Sequence, residues 1–285
     1  MTKTTKKRGL INSKRKRVFL FLLIILILLS IYILFIETNR LELTYIGKGE
    51  EAGEYSSNNE LRIAFFADLH LYQYRPFHDR LLNRIKDYHP DVILFGGDAL
   101  AKWTDVKGLV KFFDRLKGIA PTYTIFGNWE EYAPVHMRQR FESLDIPLIE
   151  KESTAINIKG YKLGITGLES HYFFRNTERL SQDGKRDYDI LLIHSPLRID
   201  EYPDILDEYD LVLAGHTHGG QFYIPFITKD LMSWKNGNEI KFLAGEYHHK
   251  DTMIYVTRGV GQWFPGRLNC PPELVILDLN RSGDF

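Results

Sequence analysis

Several short apolar runs in this chain end in side chains able to bind a cation. LRIAFFA (61–67) leads into Asp68-Leu69-His70, and VILF (92–95) into Gly96-Gly97-Asp98. TYTIF (122–126) leads into Gly127-Asn128-Trp129-Glu130. Asp68, Asp98 and Asn128 are each 30 residues apart, about one strand-plus-helix step. Two later runs, DILLI (189–193) and LVLA (211–214), lead into His194 and into Gly215-His216-Thr217-His218-Gly219-Gly220. A strand-end aspartate alone often only caps a helix, and Gly-Gly-Asp alone is often only a turn. Two histidines bracketing a threonine inside a glycine loop serve little packing purpose. The full inventory is two aspartates, one asparagine and four histidines. Mixed imidazole and carboxylate donors suit Mn, Fe or Zn better than Ca or Mg. Seven donors exceed the needs of one ion and suit two ions sharing a carboxylate. Two ions about 3.5–4 Å apart can clamp a phosphate, lower the pKa of a bridging water and neutralise developing charge. His78, His89, His136, His171, His248 and His249 fall outside this pattern and are read as surface or core.

The elements that must position these donors alternate. Apolar spacing predicts helices over 77–88, 105–118 and 134–144, between strands at 61–67, 92–95 and 122–126. Strand and helix in turn build βαβ units on a parallel sheet. Equivalent positions on neighbouring parallel strands then share the C-terminal edge, where open α/β sheets place ligands. The second half reads as short strands, near 148–167, 188–193, 210–214, 239–246, 252–258 and 273–279, in a second sheet packed on the first. A hydrophobic fraction of 44% and an aromatic fraction of 13% supply a core for one α/β domain, placed at 61–282. Arg258 and Arg267 stand in a glycine-rich stretch, where a guanidinium fork suits a substrate phosphate. Residues 168–187 and 221–238 are expected beside the site as a cap. There Phe222, Tyr223, Phe226 and Trp234 face either lipid or the core.

The N-terminus has a different chemistry. Residues 1–17 carry eight basic side chains and no acid, followed by nineteen uncharged residues from Val18 to Ile36. Such a helix spans roughly 28 Å, close to a bilayer's hydrocarbon thickness. Basic residues before the span place the N-terminus in the cytoplasm and the domain outside it. A cleaved signal peptide is the competing reading, but ETNRLEL follows directly and offers no small-residue cleavage site. Residues 37–60 are expected to be a linker, polar over 47–60. The zero net charge leaves −8 on the chain beyond the basic block, which suits nucleic-acid binding poorly. One cysteine, Cys270, excludes an intrachain disulfide.

Taken together, ADLH, GGDA, GNWE, IHSP and GHTHGGQ resemble the motifs of the calcineurin-like metallophosphoesterase superfamily, over roughly 61–280. The tail RGVG…PGRLNCPPELVIL resembles its membrane-associated bacterial branch. The resemblance implies a four-layer αββα sandwich and a phosphoester hydrolase with two divalent ions. It would place Asp68, His70 and His218 on one ion, Asn128, His194 and His216 on the other, and Asp98 between them. Asp98, Asn128 and His194 would be catalytic, around a bridging hydroxide that attacks phosphorus in line. One departure stands out: where the family has a histidine that assists the leaving oxygen, this chain has Trp129. Indole cannot serve as a general acid at neutral pH. That favours a substrate with a stable leaving group, or else Trp129 is a packing wall and another group supplies the proton. A sharper resemblance is to the UDP-2,3-diacylglucosamine pyrophosphatases, against which the outward orientation argues. The reading from a different class is a non-catalytic, metal-bound membrane scaffold.

Overall fold

The computed structural model describes residues 3–47, 60–150, 152–168, 186–197, 199–237 and 239–280. Helix α1 (Lys3–Ile31) runs on through a π turn, Tyr32–Ile36, and a 3-10 turn, Glu37–Asn39. Its segment Lys14–Asn39, which contains an 18-residue stretch of mean hydropathy 3.3, is long and apolar enough to cross a membrane. There follow β1 (Glu42–Ile46), β2 (Leu61–Phe66), α2 (Pro76–Asp87), β3 (Val92–Phe95), α3 (Val106–Lys117), β4 (Thr122–Thr124) and α4 (Pro134–Ser143). The second half contains β5 (Glu152–Ile158), β6 (Tyr161–Leu168), β7 (Tyr188–Ile193), α5 (Pro203–Leu206) and β8 (Leu211–Ala214). It ends with α6 (Thr228–Asn236), β9 (Gly245–His249), β10 (Thr252–Val256) and β11 (Glu273–Leu279).

Two mixed sheets form, ordered β1-β11-β2-β3-β4 and β5-β6-β7-β8-β10-β9. β2, β3 and β4 are parallel, as are β6, β7, β8 and β10. Alternation along each buried strand supplies both faces. Ile63, Phe65, Leu94, Ile165, Leu192, Leu213 and Leu277 interlock between the sheets. Ala64, Phe66 and Phe95 face outward, onto Leu81, Phe112, Phe113 and Phe141 of α2, α3 and α4. On the far side Leu191, Ile193, Val212 and Ile254 pack under Ile199 and Leu206, so that the second helical layer is thin. The expected α/β sandwich is therefore present, with two sheets flanked by helices.

Two sequence expectations are corrected. Residues 42–46, assigned to the linker, form a strand parallel to β11, with Glu42 level with Glu273. Glu37, also assigned to the linker, is buried and accepts a 2.7 Å hydrogen bond from the Cys270 amide. Partly apolar ELTYI gains a ladder partner from the far end of the chain, a non-local pairing that local pattern does not reveal. The strand expected over 239–246 lies at Gly245–His249 instead, as the edge partner of β10.

At the ends of β3 and β4 the chain passes very close to itself. Gly97 has φ +86°, and a Cβ there would sit 2.5 Å from the Gly127 nitrogen. Gly237 also has a positive φ, but no atom lies within 4 Å of its would-be Cβ. Backbone strain of this kind costs about 1–3 kcal/mol, and each kcal/mol shifts the melting point by about 2–4 °C in a domain of this size. Gly97→Ala is therefore expected to lower the melting temperature well beyond Gly237→Ala, since only the first adds a collision. Equal shifts in scanning calorimetry would contradict this account.

Candidate metal centre

All seven expected donors lie just beyond strand ends: Asp68 and His70 after β2, Asp98 after β3, Asn128 after β4, His194 after β7, and His216 and His218 after β8. The loops that carry them are knitted by backbone hydrogen bonds. The amides of Asp68 and His70 donate to the carbonyls of Gly97 and Asp98, both at 2.9 Å, and Gly215 donates to His194 at 2.9 Å. Asp68, His70, Asp98, His216 and His218 all have positive φ, between 39° and 70°. Non-glycine residues rarely take up this region, and its strain concentrates at functional sites.

Two groups of donors emerge, Asp68-His70-His218 and Asp98-His194-His216, each with its ligand atoms within 4.8 Å of one another. The Asn128 carboxamide oxygen joins the second group, 2.8 Å from His216 Nδ1 and 3.1 Å from His194 Nε2. Asp98 Oδ2 lies between the groups, 3.3 Å from His194 Nε2 and 3.5 Å from His70 Nε2.

Hydrogen bonding on the outer nitrogens tests whether cations fit. His70 Nδ1 donates to the Leu100 carbonyl and His194 Nδ1 to the Gly96 carbonyl, both at 2.8 Å. This outer bond fixes the tautomer, leaving each Nε2 with its lone pair directed inward. The inward nitrogens meet other ligand atoms: His70 Nε2 lies 3.1 Å from His218 Nε2, and His194 Nε2 faces Asn128 and Asp98. Ligand atoms crowded in this way leave a place for positive charge, which a divalent ion in each group would supply. Electrostatics make the same demand. Burial raises the Asp68 carboxyl to about 7, against the pull of His194. Burial also opposes charge on His194, but Asp98 and Asp68 outweigh it and push its pKa up to about 10, so that the carboxylates call for positive charge at Nε2, from a proton or from a cation in its place.

A calcineurin-like phosphoesterase family profile matches residues 61–220. The chain belongs to that family. As a calcineurin-like phosphoesterase it is a phosphoester hydrolase of the kind that works with divalent metals. It is 29% identical over 265 residues to an uncharacterized metallophosphoesterase of Campylobacter jejuni, covering 88% of this chain and 67% of the relative. It is 27% identical to the phosphodiesterase YaeI of Escherichia coli, over 76% of this chain and 82% of that protein. The solved sulfate thiohydrolase SoxB of Thermus thermophilus shares the fold, with TM-score 0.50 and 12% identity over 80% of this chain and 58% of that one.

Other expected site residues are placed differently. Trp129 borders the centre, its ring edge-on to His70 at 5.5 Å and its amide 2.8 Å from Asp98 Oδ1. Neither arginine presents a free fork to a phosphate. Arg258 is paired with Glu42 and Glu273, each at 3.0 Å. Arg267 is fully buried, and its guanidinium donates to the carbonyls of Arg258, Gly259, Gly261 and Cys270. It ties together the glycine-rich loop that follows β10. The cap segment 169–185, including His171, lies outside the described residues. Among the other histidines, His78 is buried, and the ring of His248 pairs with Glu246 on the surface.

Glu130 carries a role the sequence reading left unassigned. It is buried, and its carboxylate accepts from the amides of Asp98 (2.9 Å), Leu100 (3.0 Å) and Gly127 (2.7 Å). One side chain thus fixes both loops that bear Asp98 and Asn128. The available signal was an acid two residues past the asparagine, in the turn shared by those loops. Glu130→Gln sets an NH2 against an amide donor, at about 1–3 kcal/mol for each unmade bond. A melting temperature several degrees lower and about 10–100-fold weaker metal affinity are expected, the usual range for an orienting partner. Unchanged metal content on dialysis and mass spectrometry would contradict this role.

Proposed function

We propose that this calcineurin-like phosphoesterase is a membrane-anchored, dinuclear hydrolase of phosphodiester or pyrophosphate bonds in a membrane-proximal substrate. The observation that carries it is Asp98 Oδ2 placed between two triads of inward-facing donors. Asp68, His70 and His218 would hold one ion and Asn128, His194 and His216 the other, with Asp98 available to both. The donor set favours Mn, Fe or Zn. Two such ions lower the pKa of water and neutralise charge gathering on phosphorus.

The chain's own residues supply the framework. Asp98 is aligned by the Trp129 amide through one oxygen while the other faces His70 and His194. Asp68 is held by the His216 amide, at 2.9 Å to its nearer oxygen. These bonds fix the donors before substrate arrives, so little reorganisation accompanies the reaction. Trp129 borders both adjoining cavities and forms a wall beside His70. The apolar helix ahead of the domain supports single-pass anchoring. The basic block before it supports a cytoplasmic N-terminus and an extracytoplasmic domain.

Purified wild type loaded with Mn is expected to cleave bis-p-nitrophenyl phosphate, and Asp98→Ala to lose at least about 10³-fold in kcat/KM, on the scale of one electrostatic stabiliser. Equal inactivity of both across Mn, Fe and Zn would favour the non-catalytic scaffold instead.

Trp129 makes a second expectation. A general acid contributes about 10²–10⁴-fold when the leaving group needs a proton. Rates of the wild type should therefore fall steeply as leaving-group pKa rises, and those of Trp129→His less steeply. Identical slopes over a series of aryl diesters would show that indole is only a wall.

A further inference from the structure

The anchor helix is built into the domain. The Arg267 amide donates to the Ile33 carbonyl at 3.1 Å, and the Cys270 amide to the Glu37 carboxylate. A Cβ on Gly266 would strike Ile33 at 2.7 Å, so the loop after β10 lies flush against the end of the helix. Topology then fixes which side of the domain the helix meets. β1 leaves the helix at Glu42, level with Glu273 of β11. β11 runs antiparallel to β2, with Val275 opposite Phe65. β2 therefore runs toward the level at which the chain leaves the helix. The strand ends bearing Asp68, Asp98 and Asn128 are on the anchor side.

That same edge carries the domain's exposed apolar surface. Among the described residues beyond the anchor, every exposed large hydrophobic side chain lies in a connection leaving this edge. Phe226 is 94% exposed, Trp234 81%, Trp103 68% and Trp263 51%, joined by Ile227 and Leu231 along the approach to and face of α6. Among the described residues, each of these side chains keeps more than half of its surface open. Lysines flank the aromatics, with Lys235 Nζ 5.0 Å from the Trp263 ring centre and Lys102 Nζ 5.8 Å from that of Trp103. Exposed tryptophans beside lysines are the composition of a membrane–water interface, where rings lie at headgroup depth and cations meet phosphates. A cavity of about 450 Å³ leads from Asp98, His216 and His218 between Leu231, Met232, Ile240 and Phe264. One end of it is the candidate metal centre, and its walls are mostly apolar, with Lys235 and Thr228 among them.

We infer that the catalytic edge is itself a membrane contact. The connections beyond the ligand-bearing strands, with α6, rest in the lipid interface of the bilayer that α1 crosses. The substrate is an amphiphile whose phosphate reaches the metal centre while its hydrocarbon lies along the α6 cavity. Hydrolysis transfers a water oxygen to phosphorus and a proton to the departing oxygen, so the apolar product stays in the bilayer. This inference rests on the anchored-hydrolase reading.

The test uses the full chain in vesicles of phosphatidylethanolamine and phosphatidylglycerol. Nitroxide labels are placed at Phe226→Cys, Trp234→Cys and, on the opposite edge, Asp87→Cys. All three positions are exposed, and native Cys270 is buried. Collision with oxygen, which partitions into lipid, is compared with collision with a water-soluble nickel chelate. The oxygen-to-nickel ratio is expected to be several-fold higher at 226 and 234 than at 87. Ratios equal to that at 87 would overturn the inference, as would spin–spin broadening that shows a second copy covering the patch. Flotation of the chain with vesicles reports anchoring separately, and no readout here depends on activity. Failure of the contact and failure of the hydrolase reading are therefore distinguishable.

Discussion

The constraint on which the structure turns is the crowding of cation-binding atoms at one strand-end edge. Asp68, Asp98 and four imidazoles converge there, all but His216 buried, with their ligand atoms in two groups, each within 4.8 Å. Left alone, such groups would rotate apart or draw in solvent. They are held because each arises from a different strand end and each is gripped from behind. Gly96 and Leu100 carbonyls fix two of the imidazoles, the His216 amide fixes Asp68, and the Trp129 amide fixes Asp98. Five of the donors also have left-handed backbone conformations. Two buried sheets of mostly parallel strands supply the rigidity that this strain requires.

Glu130 shows how the sheet's order becomes the site's order. Its buried carboxylate accepts from three backbone amides, and it gathers the β3 and β4 loops around itself. Close approach of those loops needs glycine at 97, where a side chain would meet the neighbouring backbone. Arg267 performs a similar service after β10, with a cation among carbonyls in place of an anion among amides. Buried charge here is a local tie for polar backbone that has no ladder partner.

Much of this was legible in the sequence. The 30-residue recurrence of Asp68, Asp98 and Asn128 follows from the length of a strand-plus-helix unit, and apolar runs before each donor announce the strands. The helices at 77–88, 105–118 and 134–144 and the strand at 188–193 rest on local periodicity, and they agree with the observed elements within a residue or two. What escaped was non-local. β1 is recognisable only once β11, over two hundred residues later, is there to pair with it. Arg258 and Arg267 read as phosphate ligands because a guanidinium in a glycine-rich loop has the same sequence whether it faces substrate or backbone. Their partners, Glu42, Glu273 and a set of carbonyls, are supplied by the tertiary fold.

The hydrogen bonds from Arg267 to Ile33 and from Cys270 to Glu37 have a consequence for distance. An enzyme on a flexible tether sweeps a hemisphere and meets phosphates at any height its linker allows. On the anchored reading proposed above, a domain locked to its helix has one working depth. With such a joint the protein behaves as a gauge: chemistry would be confined to phosphates presented at that level, and selection among otherwise similar esters would begin with how far each headgroup stands from the bilayer.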